Sequence, residues 1–266
     1  MLTNIDPIDV YPKSLLDHEL PDFLNKETIH IDENHLENWL INYKEKANYT
    51  RLLRYYLSTK VLDLTSRDIV LDVGGGDNIY ASIIGESVNK VVVNDINISS
   101  KVNSLNTIYL EKDIFQVDFK KHNINKIVVG HALEHFRGDA DIKLMELICK
   151  TLPPNGKCCI EPLFLGREYL EIFNYQTNEL YDNAAQQIIT NESNFPGKKE
   201  NNMGFARIYN STSLYERILK VVEQNGLSYK LISFKINNSY LPDMEKYVFK
   251  RKNINYPLRA LVLEKA

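Results

Sequence analysis

The stretch Leu71-Asp72-Val73-Gly74-Gly75-Gly76-Asp77-Asn78 decides how the chain is read. It joins the apolar run Ile69-Val70-Leu71-Asp72-Val73 to a glycine turn, and such a turn lets backbone approach a ligand closely where a strand passes into a helix. The dinucleotide fingerprint G-x-G-x-x-G fits at Gly74 and Gly76 but would put its third glycine on Ile79, and no Gly-Lys-Ser/Thr follows for a phosphate-cradling loop. Asp72 and Asp77 would repel a phosphate, so the turn suits a cationic ligand.

Outward from this turn, short apolar runs alternate with helical stretches: Val91-Val92-Val93, Thr107-Ile108-Tyr109-Leu110, Ile127-Val128-Val129 and Cys158-Cys159-Ile160. Short continuous apolar strands between helices predict a parallel sheet covered on both faces. A helix is predicted over 139–152, stopped by Pro153-Pro154-Asn155-Gly156, and another from Ser211 or Ser213 to Asn225-Gly226. Two last strands are expected near Leu227 to Ile236 and Leu258 to Leu263. Residues 1–65 read as helical, with Leu36, Trp39, Leu40 and Tyr43 at helical spacing and no strand alternation. The stretch between Gly166 and Asn210 lacks strong strand signals and is too long for an ordinary connection.

The 266 residues are 44% hydrophobic and 25% charged, which sets aside collagen-like, mucin-like and fully disordered chains. No run approaches the length of a membrane-spanning helix. Met1-Leu-Thr-Asn-Ile-Asp carries no basic segment followed by an apolar run, so a cytoplasmic protein is expected. Cys149, Cys158 and Cys159 lack metal-ligand spacing; reduced, buried thiols and no metal are expected. The net charge of −3, with Lys250-Arg251-Lys252 as the densest basic cluster, gives no footprint for nucleic acid.

Asp72, Gly74 and Gly76 match the first motif, D-x-G-x-G-x-G, and in this the chain resembles the class I S-adenosylmethionine-dependent methyltransferases of the small-molecule type. Asn78 replaces the last glycine, and asparagine tolerates positive φ better than most residues. Three further matches follow in order. Val91-Val92-Val93-Asn94-Asp95 ends a second strand in an acid, Leu110-Glu-Lys-Asp113-Ile114 follows the third, and Ile127-Val128-Val129-Gly130-His131-Ala132-Leu133-Glu134-His135-Phe136 resembles the fourth-strand motif. Leu152-Pro-Pro-Asn-Gly156-Lys resembles the turn before strand five, so the resemblance covers residues 69 to 162.

The resemblance implies S-adenosylmethionine as cofactor, held by Asp72, Gly74, Gly76, Asn78 and Gly130, with Asp95 on the ribose and Asp113 at the adenine amino group, backed by Ile114. For Asp113 a turn cap is the plain alternative. It also implies an α/β fold, a doubly wound, Rossmann-like, mostly parallel seven-stranded methyltransferase sheet of strand order 3-2-1-4-5-7-6 with an antiparallel last strand. On that plan residues 1–65 form an N-terminal helical cap and 66–266 the methyltransferase domain, with 166–210 an acceptor-site insertion after strand five.

The expected function is methyl transfer to a small metabolite, with a hydroxyl of a sugar or biosynthetic intermediate as the first acceptor considered and an amine or carbon next. No Asn/Asp-Pro-Pro-aromatic box follows strand four, so exocyclic base amines are disfavoured. His131, then Glu161 and His135, are the candidate catalytic bases. Arg167 and Arg207, with Lys198 and Lys199, are candidates for holding an anionic group of the acceptor. Arg207 lies inside the apolar run Phe205-Ala206-Arg207-Ile208-Tyr209 and needs a partner, either substrate or a protein carboxylate. Two alternatives stay open: a non-catalytic, cofactor-binding subunit of a larger assembly, and a zinc hydrolase, because His131, Glu134 and His135 spell H-x-x-E-H. Zinc chemistry of that kind needs both histidines on one helix face.

Overall fold

The computed structural model describes residues 17–99, 101, 105–173, 182–189, 205–237, 239–240, 242–243 and 256–266. Lys198, Lys199 and Lys250-Arg251-Lys252 lie outside the described residues. In chain order the strands are β1 (Lys26–His30), β2 (Ile69–Val73), β3 (Lys90–Asp95), β4 (Thr107–Glu111), β5 (Lys126–Gly130), β6 (Lys157–Glu161), β7 (Leu170–Phe173), β8 (Gln186–Ile189), β9 (Phe205–Ile208), β10 (Leu227–Ile236), β11 (Ser239–Tyr240), β12 (Pro242–Asp243), β13 (Tyr256–Pro257) and β14 (Arg259–Lys265). The helices are α1 (Glu33–Tyr43), α2 (Tyr49–Leu62), α3 (Ile79–Ile84), α4 (Ala140–Thr151), α5 (Ser211–Leu214) and α6 (Lys220–Gln224), the last two joined by a π-helical turn, Tyr215–Leu219. No helix among the described residues is long and apolar enough to cross a membrane.

The main sheet runs β1-β10-β14-β6-β5-β2-β3-β4, with β11 on the edge of β10. Strands β2 to β6 are mutually parallel, and β14 is antiparallel to both β6 and β10. Without β1 and β11 this is the expected order, with the chain turning to opposite sides from β2. Alternate residues of a strand face opposite ways. Accordingly Leu71 and Val73 pack with Leu144, Met145 and Ile148 of α4 on one face, while Val70 packs with Leu36, Leu53, Leu57 and Ile83 on the other. Asp32 and Asn48 cap α1 and α2, accepting from His35 N and Arg51 N at 3.0 Å each. Asn210 and Ser213 form a reciprocal capping box at α5, and Gly226, φ +74°, ends the helical run.

Two expectations need correction. The N-terminal segment is not wholly helical: β1 extends the sheet by pairing parallel to β10, Lys26 opposite Leu231 through His30 opposite Lys235. The 166–210 segment contains strands, β8-β7-β9, in a separate sheet. In both places charged or amide side chains interrupt the apolar signal, as in Lys26-Glu-Thr-Ile-His30 and Gln186-Gln-Ile-Ile189.

Candidate functional site

Four carboxyl-terminal strand ends, Val73, Asp95, Gly130 and Glu161, lie side by side where the chain leaves the sheet in opposite directions, the place where open α/β sheets form a ligand crevice. The glycine turn is packed tightly there. Gly74 has φ +74°, and a Cβ on it would lie 2.9 Å from Ala132 Cβ. The glycine turn and the segment after β5 are therefore in direct contact. A Cβ on Gly76 would meet Asn97 O at 2.5 Å and Asp95 Oδ2 at 2.6 Å. Gly76 N donates to Asp95 Oδ2 at 2.9 Å and Asn97 N to Asp95 Oδ1 at 3.0 Å, so the Asp95 carboxylate is aimed by backbone.

Asp72 is buried beneath Gly75, and its carboxyl is pushed up to about 7 by burial, with Asp77 and Asp95 adding to the effect. Asp77 is held by Arg51 of α2, and its Oδ1 accepts from Ile79 N at 3.2 Å. Asn78 takes the left-handed conformation, φ +59°. Both polar atoms of its side chain are buried without a hydrogen-bond partner among the described residues, a costly state that a bound polar group would relieve.

Asp113 is exposed and caps the turn Ile114–Gln116, accepting from Phe115 N at 2.9 Å. Ile114 does not present a face to the crevice: it is 6% exposed and packs in the core. The exposed apolar side chains beside the two acids are instead Ile96, 73% exposed, and Phe115, 42% exposed. Sequence reasoning missed both, although each directly neighbours an acid or Ile114. Gly130 pairs with Glu161 across the sheet, and a Cβ there would make only an ordinary contact with Val128, so its glycine is not forced by packing.

After β5 the backbone turns sharply. His131 has φ +52°, and its N donates to Glu161 O at 3.2 Å. Its Nδ1 lies 3.0 Å from Glu134 Oε1, and its ring is 6.0 Å from that of Phe164. His135 Nδ1 donates to Phe205 O of β9 at 2.7 Å. Leu133–His135 is a single 3-10 turn, so the shared helix face that a zinc site would need is not formed. Glu161 is 2% exposed and accepts from Ser58 Oγ of α2 at 2.9 Å. That hydrogen bond ties the Glu161 carboxylate at the end of β6 to α2.

Of the two partners expected for Arg207, substrate or protein carboxylate, the structure shows protein carboxylates. Arg207 is fully buried, and all five of its N–H groups are used within the protein: Nε and Nη2 on Glu171, Nη1 on Asp141 and Phe136 O, and Nη2 also on Gly138 O. Arg217, placed by the π-helical turn, completes the network through Asp141 and Asp182, and Tyr209 donates to Asp141 at 2.8 Å. No donor is left for a substrate. Arg167 pairs with Glu19 at the surface.

No family model matches the chain, and no curated protein matches it. Among solved structures, one chain of the complex between the Haloferax volcanii Trm112 methyltransferase activator and a methyltransferase aligns with 88% of this chain and 94% of its own, at 9% identity and TM-score 0.50. Burkholderia thailandensis 1,6-didemethyltoxoflavin-N1-methyltransferase, solved with 1,6-didemethyltoxoflavin and S-adenosylhomocysteine, aligns over 87% of both chains at 12% identity and TM-score 0.49. The N-methyltransferase NodS of Bradyrhizobium japonicum, solved with S-adenosylhomocysteine, aligns over 87% of this chain and 97% of its own at 11% identity and TM-score 0.48. The strand order together with the Haloferax likeness shows the fold of the class I S-adenosylmethionine-dependent methyltransferases.

Proposed function

We propose that the chain binds S-adenosylmethionine across the ends of β2 and β3 and transfers its methyl group to a small molecule with an acidic or hydroxyl proton. The observation that carries this reading is the turn itself: Gly74 and Gly76 admit no side chain, and Asp72 and Asp95 bracket them. The Asp95 carboxylate, joined by Asp72 once pH exceeds about 7, favours an ammonium and a sulfonium and disfavours a pyrophosphate. The residues fit that group. Asp95 would hold the ribose hydroxyls, Ile96 and Phe115 would flank the adenine with Asp113 at its edge, and the amide of Asn78 would gain partners at the aminoacid end. The cofactor supplies an already activated methyl group, so the protein's task is to align the acceptor and to take its proton.

His131 stands after β5 against the cofactor turn, through the contact of Ala132 with Gly74, and is the base in this reading. Incubation with methyl-labelled S-adenosylmethionine and a fractionated metabolite pool tests it. Label in a small molecule, lost in His131→Ala by roughly 10²–10⁴-fold, is expected; labelled nucleic acid or protein and no labelled small molecule would refute the acceptor class.

A further inference from the structure

Helix α2 is tied to the crevice at two points. Arg51 pairs with Asp77 of the glycine turn after β2, and Ser58 Oγ donates to Glu161 at the end of β6 at 2.9 Å. Strand β5 lies between β2 and β6, so the two ties stand on either side of the turn that carries His131. Tyr55 falls four residues after Arg51 and three before Ser58, the spacing that keeps side chains on one helix face. We propose that Tyr55 is a specificity-determining residue whose ring lines the crevice beside the sulfonium and favours that cation over the neutral thioether left after transfer; this rests on the S-adenosylmethionine reading above.

The ring is backed and partly open. Tyr55 packs on Tyr80 with ring centroids 5.1 Å apart and planes inclined by 34°. Tyr80 is itself buried, with its hydroxyl 3.3 Å from Thr59 Oγ1 of the same helix. Tyr56, next in sequence, is buried, whereas Tyr55 is only half-buried, so part of its ring stays accessible. The charged groups that act on it are Asp77 and Asp72 of the glycine turn and Arg51 and Arg54 of its own helix. Burial and the two acids push the phenol's pKa up, which keeps the ring neutral and sets it beside the turn.

A neutral aromatic ring attracts a cation over its face, and the attraction grows as water is excluded. The acids of the turn are already engaged: Asp77 is paired with Arg51, and Asp72 keeps its proton up to about pH 7. The Asp95 carboxylate accepts from Gly76 N and Asn97 N. A ring face on α2 therefore adds an attraction for the sulfonium that these carboxyls leave unsupplied at neutral pH. Once the methyl group is gone the sulfur is uncharged, and that attraction goes with it.

Calorimetry of the full chain with S-adenosylmethionine and with S-adenosylhomocysteine tests this without an acceptor. In Tyr55→Leu, S-adenosylmethionine affinity should fall about three- to thirtyfold further than S-adenosylhomocysteine affinity. Tyr55→Phe keeps the ring and should hold the ratio of the two affinities within about twofold. Equal losses for both ligands in Tyr55→Leu, or a ratio lost in Tyr55→Phe, overturn the proposal. Should Tyr55→Leu not fold, carbon-13 NMR of the tyrosine-labelled chain reads the same ring, with Tyr55 assigned through Tyr55→Phe. Its ring signals should differ between the two complexes, and identical signals overturn the proposal. An unmodified chain that binds neither ligand refutes the methyl-transfer reading itself, whereas one that binds both with no effect at Tyr55 refutes only this assignment.

Discussion

Replacing Arg207 by Met removes the guanidinium from a fully buried network but keeps most of the side chain's length. Glu171 would lose both guanidinium contacts, at 2.6 and 3.2 Å, and retain the Asp182 N–H on its other oxygen. Asp141 would keep Arg217 and Tyr209 but lose the 2.7 Å contact with Arg207. The carbonyls of Phe136 and Gly138 would each lose a donor. Removing one partner of a buried ion pair while its carboxylates stay typically costs about 3–5 kcal/mol. For a chain of this size that corresponds to a fall in Tm of roughly 6–20 °C. Scanning calorimetry and urea unfolding measure both quantities. Replacing Glu171 by Leu in the same chain should restore part of the loss, because no carboxylate then remains uncompensated there. A loss below about 1 kcal/mol for Arg207→Met would refute the structural role and return Arg207 to the acceptor site.

Asp95→Ala should weaken S-adenosylmethionine binding at least tenfold, since charge-assisted hydrogen bonds are worth about 1.5–3 kcal/mol each; an unchanged calorimetric Kd would contradict the ribose assignment. Asp72 holds its proton in the folded state up to about pH 7, against 3.8 for an unperturbed carboxyl. Its contribution to stability is therefore full below 3.8, declines as pH rises to about 7 and is lost above it. Asp72→Asn should flatten that slope and raise Tm at pH 8, and a lowered Tm there would show the carboxylate to be stabilising. Gly74→Ala places a side chain at φ +74° and 2.9 Å from Ala132; a stability loss of at least about 1–2 kcal/mol is expected by denaturant titration, and a neutral effect would mean the two turns do not touch.

The central strands were legible because each is buried on both faces: Ile69–Val73 and Lys90–Asp95 carry near-continuous apolar runs with an acid last or last but one at the crevice end. Strand β1 was not, since an edge strand of exposed Lys26, Glu27 and Thr28 leaves little apolar pattern. The inserted strands hide their signal differently. Glu171 of β7 and Arg207 of β9 sit at buried positions, and each is satisfied by a partner 36 residues away that no local spacing can reveal. The same limit applied to the acids and histidines. The sequence placed Asp72, Asp95 and His131 correctly at strand ends, but whether Glu161 or Glu134 faces His131 depends on which way two strand-end turns bend. The structure gives Glu161 to Ser58 and Glu134 to His131.

Methyl transfer by this chain requires that the acidic glycine turn hold S-adenosylmethionine. Isothermal titration calorimetry of the unmodified chain should show saturable one-to-one binding that S-adenosylhomocysteine displaces, together with a Tm that rises with cofactor concentration. No heat of binding and no change in Tm at millimolar cofactor would contradict it.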